Sequence, residues 1–90
     1  MNITFDPAKR DKTKAERGLD FADAALVFAG RALTMLEERR EYPEPRYITV
    51  GFLSGRMVLV VWTPTEDGRR VISMRKTNAR EQKHYAQALG

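Results

Sequence analysis

A small α+β domain is the fold predicted by this sequence, on three observations. The run "MVLVVWT" (57–63) is apolar on both faces, as a central strand is. It stands between "RYITVGFL" and "RVISMRK", and tight polar links at Ser54-Gly55 and "TEDG" join the three into an antiparallel β-meander. Helix signatures lie before and after this block. Ninety residues are enough for one core and too few for a second, so one domain is expected to span residues 1–90.

Each element has its own signal. Residues 2–5 read as a short N-terminal strand. Asp6-Pro7 then opens a first helix, with Asp as N-cap and Pro in the first turn, and Gly18 closes it. Between Lys9 and Arg17 the only apolar side chain is Ala15, so burial has little to hold this helix by. Local ion pairs, Asp11 with Lys14 and Lys12 with Glu16, are the expected substitute. Asp20 caps a second helix whose Phe21, Ala24, Ala25 and Phe28 form a core stripe, and Gly30 stops it. Leu33 to Leu36 turn to strand alternation, and the polar loop "EERREYPEP" follows, where Pro43 and Pro45 forbid helix. After the meander, Thr77 or Asn78 caps a C-terminal helix, with Asn78 and Glu81 spaced as a capping box. Tyr85, Ala88 and Leu89 can face the sheet, and all helices are expected on one face of it.

Charge is divided unevenly. Residues 1–45 hold eight Lys/Arg against nine Asp/Glu, a net of −1, whereas residues 46–90 hold eight against three, a net of +5. That asymmetry points to an anionic partner for the second half. On the C-terminal helix Arg80, Lys83, His84 and Gln87 recur at i, i+3, i+4 and i+7, one mostly basic face. Lys9, Lys12, Lys14 and Arg17 give the first helix a comparable cationic surface, which serves either as a solvated exterior or as contact for a charged ligand. The longest apolar run, Met57–Trp62, is too short to span a bilayer, and no charged-then-apolar leader opens the chain. With no cysteine as well, a cytoplasmic protein is the expectation.

The available chemistry is narrow. The basic half offers only Glu66, Asp67 and Glu81 as carboxylates, which argues against a metal centre, and no cofactor fingerprint or phosphate loop is present. His84 is the sole histidine, so a two-histidine acid–base pair is excluded and a serine triad is unsupported. Metal-free cleavage of RNA remains, because the substrate carries its own nucleophile in the 2′-hydroxyl. Arginine suits the charge that develops on the phosphorus, and losing one such donor typically costs about 3–4 kcal/mol of barrier. Two other readings stand beside it: a nucleic-acid-binding module that leaves its ligand intact, and a basic module that docks a partner.

Three segments in series, "FDPAKRDKTKAERGLDFADAALVF", "REYPEPRYITVGFLSGRMVLVVWT" and "RRVISMRKTNAREQKHY", resemble the BrnT-like toxins of type II toxin–antitoxin systems. The resemblance covers nearly the whole chain. It implies a RelE-like fold, growth arrest by RNA cleavage, and a BrnA-like antitoxin that carries the DNA-binding domain of the complex. Carried over by position, it points to Arg46 with Glu44 before it, to Arg75 and Lys76, and to Arg80, Glu81 and Tyr85. Two departures are visible. This chain reads Glu16-Arg17-Gly18 where relatives read Lys-His-Gly, so proton transfer by that histidine would have to pass to another residue. Pro43 and Pro45 stand in a stretch that relatives often read as Tyr-Gly-Glu-x-Arg, and they stiffen the approach to Arg46.

The resulting assignment makes Arg46, Arg75 and Arg80 ligands of the phosphate and its transition state, with Lys76 assisting and Glu81 or His84 as proton carrier. Tyr85 packs on the sheet with its hydroxyl within reach of a phosphate. Lys9, Lys12, Lys14, Arg17 and Lys83 are the expected RNA-binding cations. Each has a plainer alternative: a strand-end ion pair for Arg46 with Glu44, a helix cap for Glu81, and an exposed surface residue for His84. Arg75, in alternation with Val71 and Ser73, is expected to share their sheet face.

Overall fold

The computed structural model describes residues 1–38 and 41–89, so Arg39 and Arg40 of the predicted polar loop lie outside the described residues. The chain runs β1 (Asn2–Phe5), α1 (Pro7–Arg17), a 3-10 turn (Phe21–Asp23), α2 (Ala24–Ala29), β2 (Leu33–Leu36), β3 (Tyr47–Leu53), β4 (Arg56–Pro64), β5 (Gly68–Lys76) and α3 (Ala79–Leu89). The five strands form one mixed sheet in the order β1-β5-β4-β3-β2, and β4 is central as its composition predicts.

β2 to β5 are consecutive antiparallel neighbours, so the expected meander gains β2 at one edge. The β3–β4 turn takes Ser54 and Gly55 through left-handed conformations, φ 52° and 77°, the combination that fits a tight hairpin's twist. β1 pairs in parallel with β5, from Asn2 opposite Gly68 to Phe5 opposite Val71. The approach is so close that a Cβ on residue 68 would collide with the Asn2 backbone, which explains the glycine. β1 ends there, and among the described residues β5 has no strand partner on its outer side beyond Val71.

Helices cover both faces of the sheet rather than one. On the first face, Leu19, Phe21, Ala24 and Val27 pack with Val58, Val60, Trp62, Val71 and Met74. On the second, Leu89 and half-buried Tyr85 of α3 pack with Val50, Met57 and Leu59. A strand apolar on both sides requires cover on both; each fully buried aliphatic or aromatic side chain contributes about 1.5–3 kcal/mol. The second helix is shorter than its pattern implies: Phe21 and Ala24 are buried as expected, but Val27 completes the stripe and Ala25 is exposed.

α1 buries no residue, as its composition foretells. Polar contacts hold it, though not the expected pairs. Asp11 pairs with its neighbour Arg10 at 2.8 Å, and Lys14 reaches Asp20 at 3.7 Å, which Arg10 also approaches at 3.5 Å. A hydrogen bond from the Ala22 amide and the nearby Arg10 and Lys14 charges hold the Asp20 carboxyl below its usual pKa. At the helix end Arg17 Nη1 donates to the Met74 carbonyl at 2.9 Å, so α1 shields part of the free edge of β5. Gly18, at φ 68°, supplies the left-handed cap.

Candidate RNA interface

The β5–α3 corner is built around a capping box. Asn78 Oδ1 accepts from the Glu81 amide at 2.8 Å, and Glu81 Oε1 accepts from the Asn78 amide at 3.0 Å. Thr77 anchors the turn beneath it, its hydroxyl donating to the Met57 carbonyl at 3.1 Å. Arg75 then closes on the same carboxylate with two bonds, Nη1 to Oε1 at 2.8 Å and Nη2 to Oε2 at 2.7 Å. These guanidinium bonds first, and the Asn78 amide second, pull the Glu81 pKa down to about 2. A carboxylate so strongly stabilised as an anion is a poor proton carrier at neutral pH. The role considered for Glu81 in proton transfer is therefore replaced by one that is visible: it caps α3 and holds Arg75.

Arg75 does not share a face with Val71. A register shift at Val61/Trp62 makes Val61 face Ser73 and Trp62 face Val71, leaving Ile72 as the extra residue. Val71 and Met74 consequently enter the first core, whereas Arg75 lies opposite Leu59 on the face that carries α3. Lys76, next in sequence, borders Gly18 and Leu19 on the other face, so the Arg75–Lys76 pair is divided between the two. Arg80, Lys83 and His84 are exposed along α3, and His84 sits edge-on to Tyr85 with ring centroids 4.8 Å apart.

A second cationic centre lies at the far end of the same sheet. The Arg46 backbone is fixed from both sides: the Glu37 amide donates to its carbonyl at 2.8 Å, and Thr63 Oγ1 donates to the Pro45 carbonyl at 2.6 Å. Its guanidinium lies 3.8 Å from the Tyr42 ring centre, and Nη2 is 3.7 Å from Glu44 Oε1. Arg46 Nε is buried with no hydrogen-bond partner among the described residues. Thr63, which anchors this segment, is paired with Arg70 of β5. Arg46, Arg70 and Lys9 of α1 line one cavity of about 120 Å³.

From that cavity a cleft continues along the free edge of β5. Lys9 and Ile72 border both, and Lys12, Thr13, Glu16, Arg17 and Ser73 extend it between α1 and the strand. Lys9, Lys12, Arg17 and Arg46 are thus gathered along one border, while Lys14 turns to Asp20. Arg46 and Arg75 are not brought together. Arg75 faces Leu59, which faces Val50, four residues beyond Arg46, so about 13 Å of strand separates their positions along the sheet. Arg70 was not among the residues singled out in the sequence, because a cation opening a strand carries no local mark; only the register sets it beside Thr63. Two aromatic residues suited to stacking on bases are committed to each other, since Trp62 is buried, stacks on Tyr47 at 5.0 Å, and donates to Thr49 Oγ1 at 2.8 Å.

A five-stranded α+β domain with basic side chains ranged along one free strand and around its two ends is a protein shaped to meet a polyanion. Residues 5–81 match the ribonuclease toxin, BrnT, of type II toxin–antitoxin systems, and the chain belongs to that family. No individually curated protein gives a significant match. Membership brings an RNA target and an antitoxin partner. No helix among the described residues is long and apolar enough to cross a membrane.

Proposed function

We propose that this toxin cleaves RNA without a metal ion, holding the strand against the free half of β5 between the α1 cations and the Arg75–Arg80 corner. The observation that carries the reading is the convergence of Lys9, Lys12 and Arg17 of α1, Arg46 before β3 and Arg70 of β5 on one continuous cleft. Arg46, seated at one end with a hydrogen-bonding nitrogen unmet among the described residues, is the transition-state ligand. Glu44, 3.7 Å from it, is the carboxylate that takes the 2′-hydroxyl proton. The 2′-oxygen bonds to phosphorus, the bond from phosphorus to the 5′-oxygen breaks, and that oxygen leaves with a proton from solvent. The products are a 2′,3′-cyclic phosphate and a 5′-hydroxyl.

In this reading Arg75 orders the α3 corner, and Arg80, Lys83 and His84 contact flanking RNA. The arrangement is RelE-like in kind, and among the described residues no three His, Asp or Glu side chains gather to hold a metal. The antitoxin is BrnA-like, supplies the DNA-binding half of a hetero-oligomer, and meets the toxin in the cytoplasm. End-labelled RNA incubated with the toxin in EDTA tests the core of this. Fragments ending in cyclic phosphate, absent with Arg46→Ala, are the expected result. Cleavage that appears only when a divalent ion is restored would overturn it. RNA left whole in both buffers calls for the same assay with translating ribosomes, where intact message returns the protein to a binding role.

A further inference from the structure

We infer that the small cavity enclosed by α1, the segment leading into β3, the end of β4 and β5 is a preformed seat for a single phosphoryl group, with Arg70 as a ligand alongside Lys9 and Arg46. The inference rests on the ribonuclease reading only in taking that phosphoryl group to come from RNA. Three cations line the space, from α1, the segment before β3 and β5, and among the described residues none of them is held in a close bidentate pair. Of the two carboxylates beside them, Asp6 is engaged as the helix cap, accepting from the Ala8 amide at 2.9 Å. Glu44 stands 3.7 Å from Arg46 Nη2, beyond ordinary hydrogen-bond length. The excess charge at the site is therefore positive.

Arg46 Nε adds a second, independent indication. A buried donor without an acceptor among the described residues is costly to keep, so little holds the Arg46 guanidinium back from shifting toward an oxygen-rich anion in the space it lines. The first turn of α1 borders the same space through Asp6 and Lys9, and the field at a helix N-terminus favours negative charge. Charge then selects the ligand. A cavity of about 120 Å³ is roughly four times the ~30 Å³ share of one liquid water, room for a phosphoryl group, and its three cations favour that anion over a neutral base. The β5–α3 corner offers no such vacancy, because Glu81 already fills the Arg75 fork.

The test is a titration of the full-length toxin with inorganic phosphate at low salt, following the Arg46 Nε–H resonance and the backbone amides, beside Arg70→Ala and Arg75→Ala. Saturable shifts at Arg46 and Lys9 are expected, with affinity about tenfold weaker in Arg70→Ala and unchanged in Arg75→Ala. Arg70 is exposed, so its replacement leaves the fold in place, which the amide spectrum verifies. Shifts confined to Arg75 and Arg80, or none at all, overturn the seat. Two uncleavable 2′-deoxy oligonucleotides, with and without a 3′-terminal phosphate, identify the source. Tighter binding of the phosphorylated strand marks a seat for the product's end, and equal binding marks a seat for an internal phosphodiester. Phosphate binding with RNA left whole both alone and beside translating ribosomes would retain the seat and remove the ribonuclease reading; cleavage with no phosphate shifts would do the reverse.

Discussion

Arg46 and Arg75 are two arginines of one sheet in opposite states. Both are partly buried, with side-chain exposures of 25% and 42%. Arg75 is answered by a carboxylate in matched, two-pronged geometry, and the pair doubles as a helix cap. Arg46 has an aromatic ring beneath it, a carboxylate at arm's length, and an Nε without a partner among the described residues. The difference teaches where to look for function in a basic protein. Arg75, its fork filled by Glu81, is holding structure, whereas Arg46, with its nearest carboxylate among the described residues at 3.7 Å, is the one of the two with capacity left for an oxygen ligand.

The strongest break of this comparison is Arg46→Ala, which is expected to lower RNA cleavage about 10²–10³-fold with little change in thermal stability. Arg46→Lys should restore little of it, because an ammonium cannot reproduce the planar fork. Single-turnover cleavage and a melting curve on the same samples decide it. If Arg75→Ala instead abolishes cleavage at unchanged Tm, the two roles are reversed. Glu44→Gln comes next, with an expected loss of about 10²-fold in the same single-turnover assay.

The complementary experiment breaks the corner. Arg75→Ala removes the charge-assisted bonds to Glu81 and should cost about 1–2 kcal/mol, lowered from the buried-pair range by exposure. In a domain of this size that is a fall in Tm of roughly 5–10 °C. The sign of the pH effect follows from the depressed carboxyl, about 2 in the folded chain against 4.5 ordinarily. The pair's contribution is whole above the ordinary value and is lost as pH falls toward 2. Urea unfolding at pH 7, 4 and 3 should show a steeper decline for the parent than for Glu81→Gln. The smallest effect separates neighbours on α1: Lys12→Ala should reduce the salt slope of RNA binding by about 0.7, and Lys14→Ala should leave it unchanged.

Much of the fold was legible because it is written locally. The run from Met57 to Trp62 could only be a strand covered twice, the spacing of Asn78 and Glu81 is the capping box itself, and α1 announced its lack of a buried face. What could not be read depends on distant partners. Nothing within "NITF" says that it pairs in parallel with residues 68–71, and nothing around Ile72 marks the extra residue that parts Val71 from Arg75. The site suffered likewise. Arg46 and Arg75 look equivalent in sequence, each at a strand end, and only register and hydrogen bonding tell them apart.

The parallel pairing of β1 sets an order of assembly. Lys9 is carried to the cleft by a strand whose neighbour begins at Gly68, while Arg70 arrives with that neighbour itself. A nascent toxin that has not yet been translated past the start of β5 owns its first helix and its first cations but has nowhere to place them. The cleft therefore cannot form before β5 does, since both the strand that leads into the helix of Lys9 and the strand that carries Arg70 are placed by that pairing.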